Sequence, residues 1–328
     1  MRQITMREAL NEALHEEMER DESTVLFGED VAKFGGINKV TQGLYEKYGA
    51  PRVYDTPIAE ATIVGAAVGM AITGHARPIP ELQFGDFASI AFDEIFNKMG
   101  KWRFMHGGQM EMPITLRLPV GIAGGAGPEH SQSPQALFMH GPGLQIVVPS
   151  TPYDAKGLLK TSIRDNNAVL FFEHKLLYDM KGDVPEEEYL IPFGKADIKR
   201  EGEDLTIIAT ALQVQTSLEA AEELSNQGVE AEVIDPRTLA PLDMETILNS
   251  VRKTGRVLIV HEESKTGGSG AEIAAQIQEE ALFDLEAPIK RIGSPDVPIA
   301  QSIHLEQFYR PNAQQIINAV NEIIDVPV

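Results

Sequence analysis

From Ala61 to Gly74 the chain reads "ATIVGAAVGMAITG", without one charged side chain, and the residue before this run is Glu60. The run falls short of the roughly 18 apolar residues that argue for a membrane span. It predicts a buried core helix over 60–74, with a lone carboxylate at its mouth. Nearer the start, Met6, Ala9, Leu10, Ala13, Leu14 and Met18 recur at helical spacing, opposite Glu8, Glu12, Glu16 and Glu17. Short β-branched runs follow: "TVLFGED", "RVYDTP", "RPIPELQF", "PITLRLPVG", "LQIVVPS" and "AVLFFEH". Between them lie helical patterns at 38–48, 60–74, 88–104, 133–140 and 152–164. This alternation predicts a parallel sheet covered on both faces.

Around 176–203 the helical period lapses into a charged stretch bearing Pro and Gly. A second alternation then begins, with strands "DLTIIAT", "VEAEVIDPR", "RVLIVHEE" and "PIKRIGSP" and helices near 211–227, 243–252, 269–282 and 312–324. The expected architecture is α/β with two doubly wound domains, 1–185 and 204–328, joined by a linker over 186–203. At 328 residues, two cores are the natural division. Ligands of such sheets lie beyond the carboxyl ends of strands. Glu29, Glu60, Gln83 to Phe87 and the loop 121–132 all follow predicted strands, and are expected to converge on one edge of the first domain.

Composition narrows the field. A net charge of −21 repels phosphate backbones and anionic lipid, which argues against nucleic-acid and membrane partners. The absence of cysteine removes disulfides, zinc thiolates and thiol nucleophiles, and fits a reducing, cytoplasmic setting. The N-terminal helix has no unbroken apolar stretch of the kind a signal peptide needs.

Single motifs speak softly. An acidic first turn is common, because the helix dipole favours it by about 0.3–1 kcal/mol. The capping-box explanation for Glu60 fails by one position, since Thr56 stands four residues before it. Gly65, Ala66, Ala67 and Gly69 would let other backbones approach and leave Glu60 beside apolar surface. His130 sits in "GAGPEHSQSPQALFMHGPG", a polar, Gly-rich loop after a strand; such a loop is the usual place for a working imidazole, but loop histidines are more often merely solvated. The clusters "GIAGGAG" and "TGGSGAE" do not fit Gly-x-Gly-x-x-Gly and read as tight turns and close backbone packing. "IRDNNAV" reads as a capped turn, and Trp102 as core.

Together these stretches resemble one family, the beta subunit of the thiamine-diphosphate-dependent decarboxylating component of 2-oxo acid dehydrogenase complexes. The resemblance runs through "GEDVA", "RVYDTPIAEATIVGAAVGMA", "RPIPELQFGDF", "PEHSQSPQALFMHGPGLQIVVPSTPYDAKGLL", "IRDNNAVLFFEHKLLY" and "EVIDPRTLAPLD". The stretch from Glu173 to Asp204 is particularly similar to the acetoin dehydrogenase branch, while "PEHSQ" suits the pyruvate branch equally. "GHARP" is one residue longer than the family's Gly-x-Arg-Pro.

The resemblance implies a transketolase-like pyrimidine-binding domain followed by a transketolase C-terminal domain. It implies that Glu60 hydrogen-bonds the aminopyrimidine of thiamine diphosphate, that Phe87 stacks on that ring, and that Glu29, Gln83, Ile58 and Ala59 surround it. His130 is implied near the reacting centre. Ile114, Ser162, Asp165 and Asn167 match positions that line a potassium site in some members, Ser162 standing where others carry Ala. The family's Gly-Asp-Gly and Asn-Asn motif for diphosphate and magnesium is missing, and Asn166–Asn167 lacks its context. The resemblance therefore implies an alpha subunit that supplies this half of the site in an α2β2 heterotetramer. It further implies a lipoyl-bearing dihydrolipoyl acyltransferase partner and a 2-oxo acid or acetoin as substrate. Two other readings are a piece of a split transketolase-like enzyme and a non-catalytic module that binds the acyltransferase.

Overall fold

The computed structural model describes residues 1–324. The chain folds as two compact units, one of residues 1–120 and 137–193, the other of 121–136 and 194 onward. The first contains β1 (Arg2–Thr5), α1 (Met6–Arg20), β2 (Thr24–Gly28), α2 (Leu44–Tyr48), β3 (Val53–Asp55), α3 (Glu60–Ile72), β4 (Arg77–Glu81), α4 (Gly100–Met105) and β5 (Thr115–Val120). After α5 (Gln135–Met139), which straddles the division, it continues with β6 (Gln145–Val147), α6 (Pro152–Arg164), β7 (Val169–His174) and β8 (Lys181–Val184). Its main sheet runs in the order β6-β7-β5-β4-β2-β3, all parallel. β5 and β7 are buried at every position, as a sheet covered on both faces requires.

Local signals start the long helices. Thr5 and Glu8 close a capping box on α1: the Glu8 N–H donates to Thr5 Oγ1 at 3.2 Å and the Thr5 N–H to Glu8 Oε2 at 2.7 Å. Thr151 caps α6 and Pro152 opens it, so this helix spans the expected 152–164. Elsewhere the chain departs from expectation. The helix read from 38 begins only at Leu44, because Gly43 before it is left-handed (φ 83°). The pattern over 88–104 breaks into a 3-10 turn at Gly85–Ser89, a π-helical turn at Glu94–Met99 and α4. Trp102 is not core: α4 buries none of its residues, and the indole is half-buried, stacked on His106 at 4.6 Å. The glycines of α3 are not filled by another backbone within this chain: a Cβ on Gly69 would meet nothing within 4 Å, and one on Gly65 only Glu94 at 3.7 Å.

The second unit holds β9 (Asp197–Arg200), β10 (Leu205–Ala209), α7 (Leu212–Ser225), β11 (Ala231–Asp235), β12 (Thr238–Ala240), α8 (Met244–Thr254), β13 (Val257–Ser264), α9 (Ser269–Ala281), β14 (Lys290–Ser294), α10 (Ile303–Tyr309) and α11 (Ala313–Ile324). Its sheet runs β14-β13-β10-β11-β9, parallel except for β9. Alternate side chains of each strand go to opposite faces. Leu205, Ile207, Val233, Leu258 and Val260 pack with Val214, Leu224, Ile316 and Val320 of α7 and α11. Ile208, Ile234, Val257 and Ile259 pack with Ile247, Val251, Ile273 and Ile277 of α8 and α9. That is a doubly wound sheet. The stretch expected as linker, 186–203, contributes β9 to its edge. The loop 121–132, expected on the edge of the first domain, groups with this second unit as part of its segment 121–136.

Candidate active site

In the first unit, Gly28 stands in register opposite both Asp55 and Glu81, so β2, β3 and β4 end together on one sheet edge. Glu29, the segment 56–60 and the segment 82–87 follow directly from those ends. Gly28 allows the close approach: a Cβ there would sit 2.4 Å from the Glu81 carbonyl oxygen. Glu29 is 5% exposed and its Oε1 has no hydrogen-bond partner. Burial raises its pKa above the ordinary carboxylate value, and the charges of Glu60, Asp30 and Glu81 add to that. Glu60 opens α3 and is 7% exposed; Ala59 before it offers no side-chain cap. No hydrogen bond reaches the Glu60 carboxylate among the described residues, so it is not spent on capping the helix. Gln83 Nε2 donates to Asp30 Oδ2 at 3.0 Å, and Phe87 sits edge-on to Phe84 at 6.1 Å. Ile58 is 79% exposed beside them in sequence. A buried carboxylate oxygen without a donor, a second carboxylate, a half-buried ring and an exposed isoleucine suit a planar heterocycle with a hydrogen-bonding edge.

His130 lies in the second unit. Its loop turns through Gly121, Gly124, Gly125 and Gly127, all at positive φ between 69° and 99°, and the Gly121 N–H closes the neck on Gln132 O at 3.2 Å. Beside it is a cavity of about 630 Å³, whose walls include Ser131, Ser133, Glu262, Glu263, Ser294 and Asp296. In "TGGSGAE", Gly268 and Gly270 do serve close packing: Cβ atoms on them would sit 2.5 and 2.7 Å from the His261 ring.

Comparison with known proteins decides the family. Residues 2–181 match "Transketolase, pyrimidine binding domain" and residues 194–316 match "Transketolase, C-terminal domain". The beta subunit of acetoin:2,6-dichlorophenolindophenol oxidoreductase from Bacillus subtilis is 47% identical, over 99% of this chain and 98% of its own. The 2-oxoisovalerate dehydrogenase beta subunit of the same organism is 47% identical, over 97% and 98% of the two chains. Its pyruvate dehydrogenase E1 beta subunit is 44% identical, over 99% and 100%. The chain belongs to the E1 beta-subunit family of 2-oxo acid and acetoin dehydrogenases. A split-gene transketolase, solved as an inactive beta4 tetramer, shares the fold at a TM-score of 0.80 with 24% identity over 98% of both chains.

Within this E1 beta fold the four residues assigned to potassium gather where α6 turns into β7. Several of their oxygens are already engaged. Asp165 O accepts Arg77 Nη1 at 2.9 Å, Asp165 Oδ1 accepts the Asn167 N–H at 2.7 Å, and Asn167 Oδ1 accepts Arg103 Nη1 at 2.6 Å. Ser162 Oγ donates to Leu158 O at 2.7 Å, and Ile114 O accepts the Val169 N–H at 2.9 Å. The fit to a cation is incomplete, because a guanidinium occupies the Asp165 carbonyl. Among the described residues no group of three or more His, Asp or Glu is placed to hold a metal.

The structure also brings forward residues that no motif marks. Arg117, fully buried in β5, binds Glu173 through Nε at 2.7 Å and Nη2 at 2.8 Å, and bonds Glu81 through Nη1. Tyr178 donates to Glu173 Oε2 at 2.7 Å. Burial pushes the Glu81 pKa up, Glu173 adds to this, and Arg117 opposes it. The signal is present as single charges inside the apolar runs "PITLRLPVG" and "AVLFFEH". In the second unit His261, Glu262 and Glu263 end β13 and belong to no motif either.

Proposed function

We propose that this chain is the catalytic beta subunit of a thiamine-diphosphate-dependent 2-oxo acid or acetoin dehydrogenase, active with an alpha subunit in an α2β2 assembly. In this reading the unit of 1–120 and 137–193 is the pyrimidine-binding domain and that of 121–136 and 194 onward the C-terminal domain, the stretch 186–203 giving its strand β9 to the latter. The observation that carries it is the pair Glu29 and Glu60, two buried carboxylates past adjacent strand ends, neither spent on the fold. The cofactor, when bound, supplies a carbon nucleophile and an electron sink for carbon–carbon cleavage. Glu60 hydrogen-bonds the ring nitrogen of the aminopyrimidine and holds or releases a proton there. Its 7% exposure keeps water from competing for that nitrogen. Phe87 stacks on the ring; Glu29, Gln83 and the Ile58–Ala59 backbone fix its edge. His130 orients the substrate and assists acyl transfer to the lipoyl group of the acyltransferase.

Diphosphate and magnesium are assigned to the alpha subunit, since Gly-Asp-Gly is absent here. Potassium at the carbonyls of Ile114, Ser162, Asp165 and Asn167 requires Arg77 to release Asp165 O. A higher melting temperature in potassium than in sodium supports it, and equal values remove it. Relatives at 47%, 47% and 44% identity act on different substrates, so identity does not choose among pyruvate, branched 2-oxo acids and acetoin. A methylene is worth only about 1–3 kcal/mol of discrimination. Among the described residues no helix is long and apolar enough to cross a membrane; with no cysteine in the chain, we place it in the cytoplasm.

The test assembles the chain with its alpha subunit, thiamine diphosphate and magnesium, and measures cleavage of pyruvate, 2-oxoisovalerate and acetoin. Glu60→Gln is expected to lose about 10²- to 10⁴-fold in turnover, the usual worth of a positioned proton-transfer group. Unchanged turnover overturns the role given to Glu60.

A further inference from the structure

We propose that Glu262 is the positioning residue for His130, acting as a clamp on both limbs of the loop that carries it. The proposal rests on the reading of His130 above.

The loop is costly to order. Four of its glycines adopt left-handed φ, which makes the unbound segment expensive to fix in one shape. Two of its internal bonds are long: Gly121 N–H to Gln132 O is 3.2 Å, and His130 N–H to Gly127 O is 3.5 Å. Order comes instead from buried carboxylates of the same unit. Glu262 Oε1 accepts the Ile122 N–H at 2.7 Å on the limb before His130, and Ser133 Oγ at 3.3 Å on the limb after it. Glu306 Oε1 accepts the Gly125 N–H at 2.6 Å, and Glu263 Oε1 the Ala136 N–H at 3.2 Å. All three carboxylates are buried, Glu262 at 7% exposure. The Glu262 and Glu306 anchors, at 2.7 and 2.6 Å, are shorter than these two bonds of the loop and outweigh them.

Of the three carboxylates, Glu262 alone spans the loop. Glu306 and Glu263 each hold one point, whereas Glu262 ties the segments on either side of His130 to one atom. Its own place is fixed by the end of β13, where Ser294 Oγ donates to the Glu262 carbonyl at 2.6 Å.

The test uses the α2β2 complex with thiamine diphosphate and compares Glu262→Ala, Glu262→Gln and Ser133→Ala, each with and without His130→Ala. Glu262→Ala is expected to lower kcat by about 10- to 100-fold, the range that an ångström of misplacement costs. KM and cofactor affinity should stay within about twofold. Glu262→Gln keeps an oxygen for the Ile122 N–H and should recover most of kcat; Ser133→Ala, which leaves that anchor intact, gives a smaller loss if Glu262→Ala does not fold. On the His130→Ala background every one of these losses should vanish, as for residues acting through one another. Equal losses with and without His130 overturn the proposal. Failure of the underlying reading shows separately, as unchanged turnover in His130→Ala alone.

Discussion

Nδ1 of His261 lies 3.7 Å from Glu263 Oε2, inside a chamber whose walls are Gly268, Gly270 and Gly293. Neither ring nitrogen has a hydrogen-bond partner. Burial lowers the imidazole pKa to about 4; Arg291 adds to this, and the Glu263 backbone works the other way without offsetting it. Above the unfolded value near 6.5 the ring is neutral in both states. As pH falls from there to about 4, the unfolded chain takes up a proton that the fold refuses, and stability drains by about 3 kcal/mol. Wild type should therefore lose unfolding midpoint over this window more steeply than His261→Gln, measured by urea titration at pH steps. Parallel slopes would refute the assignment.

Glu29 has the opposite sign. Its folded pKa is raised, so the stability linked to its proton is complete below the unfolded value near 4.5 and is lost as pH rises through the folded value. Glu29→Gln removes that loss while keeping the shape. The difference in melting temperature, variant minus wild type, should grow with pH above about 4.5. A constant difference would show that the buried charge costs nothing.

Arg117 and Lys47 make ion pairs of similar length, 2.7 Å to Glu173 and 2.6 Å to Glu19. Burial separates them. Arg117→Met leaves Glu81 and Glu173 buried without their cation, which costs about 3–5 kcal/mol. Lys47→Met, at an exposed pair, should leave the unfolding midpoint unmoved. Equal shifts in the two variants would contradict this ranking.

How far the chain can be read follows from how local each signal is. The start of α6 is written in two adjacent residues, Thr151 and Pro152, and Glu60 announces itself as the one charge before fourteen uncharged residues. The pairing of Arg2–Thr5 with Lys181–Val184 has no such signal, because its partners are remote in sequence. The same holds for Arg117 and Glu173, whose meeting depends on the register of β5 against β7. Chain order gives no sign that the loop 121–132 groups with the second unit, for this reason too: its anchors Glu262 and Glu306 lie far down the chain. Trp102 as a core residue rests on a helical pattern of apolar neighbours, and that pattern does not say which face of a short helix is covered.

Two glycines separate close approach from mere smallness. At Gly28 an added Cβ would lie 2.4 Å from the Glu81 carbonyl oxygen, a backbone atom held by the β2–β4 pairing. Gly28→Ala must therefore push β2 from β4, at a cost of about 1–3 kcal/mol as overpacking. It should also displace Glu29 and weaken cofactor binding in the assembled enzyme. Gly69 sits inside α3 with nothing within 4 Å of a new Cβ. Gly69→Ala should stabilise the isolated beta chain by about 0.5–1 kcal/mol, the helical preference of alanine over glycine. If α3 presents this face to the alpha subunit, the same methyl costs assembly. Unfolding of the isolated chain and titration of the alpha subunit then move in opposite directions for one substitution. A stabilised chain that assembles as tightly as wild type would remove α3 from that interface.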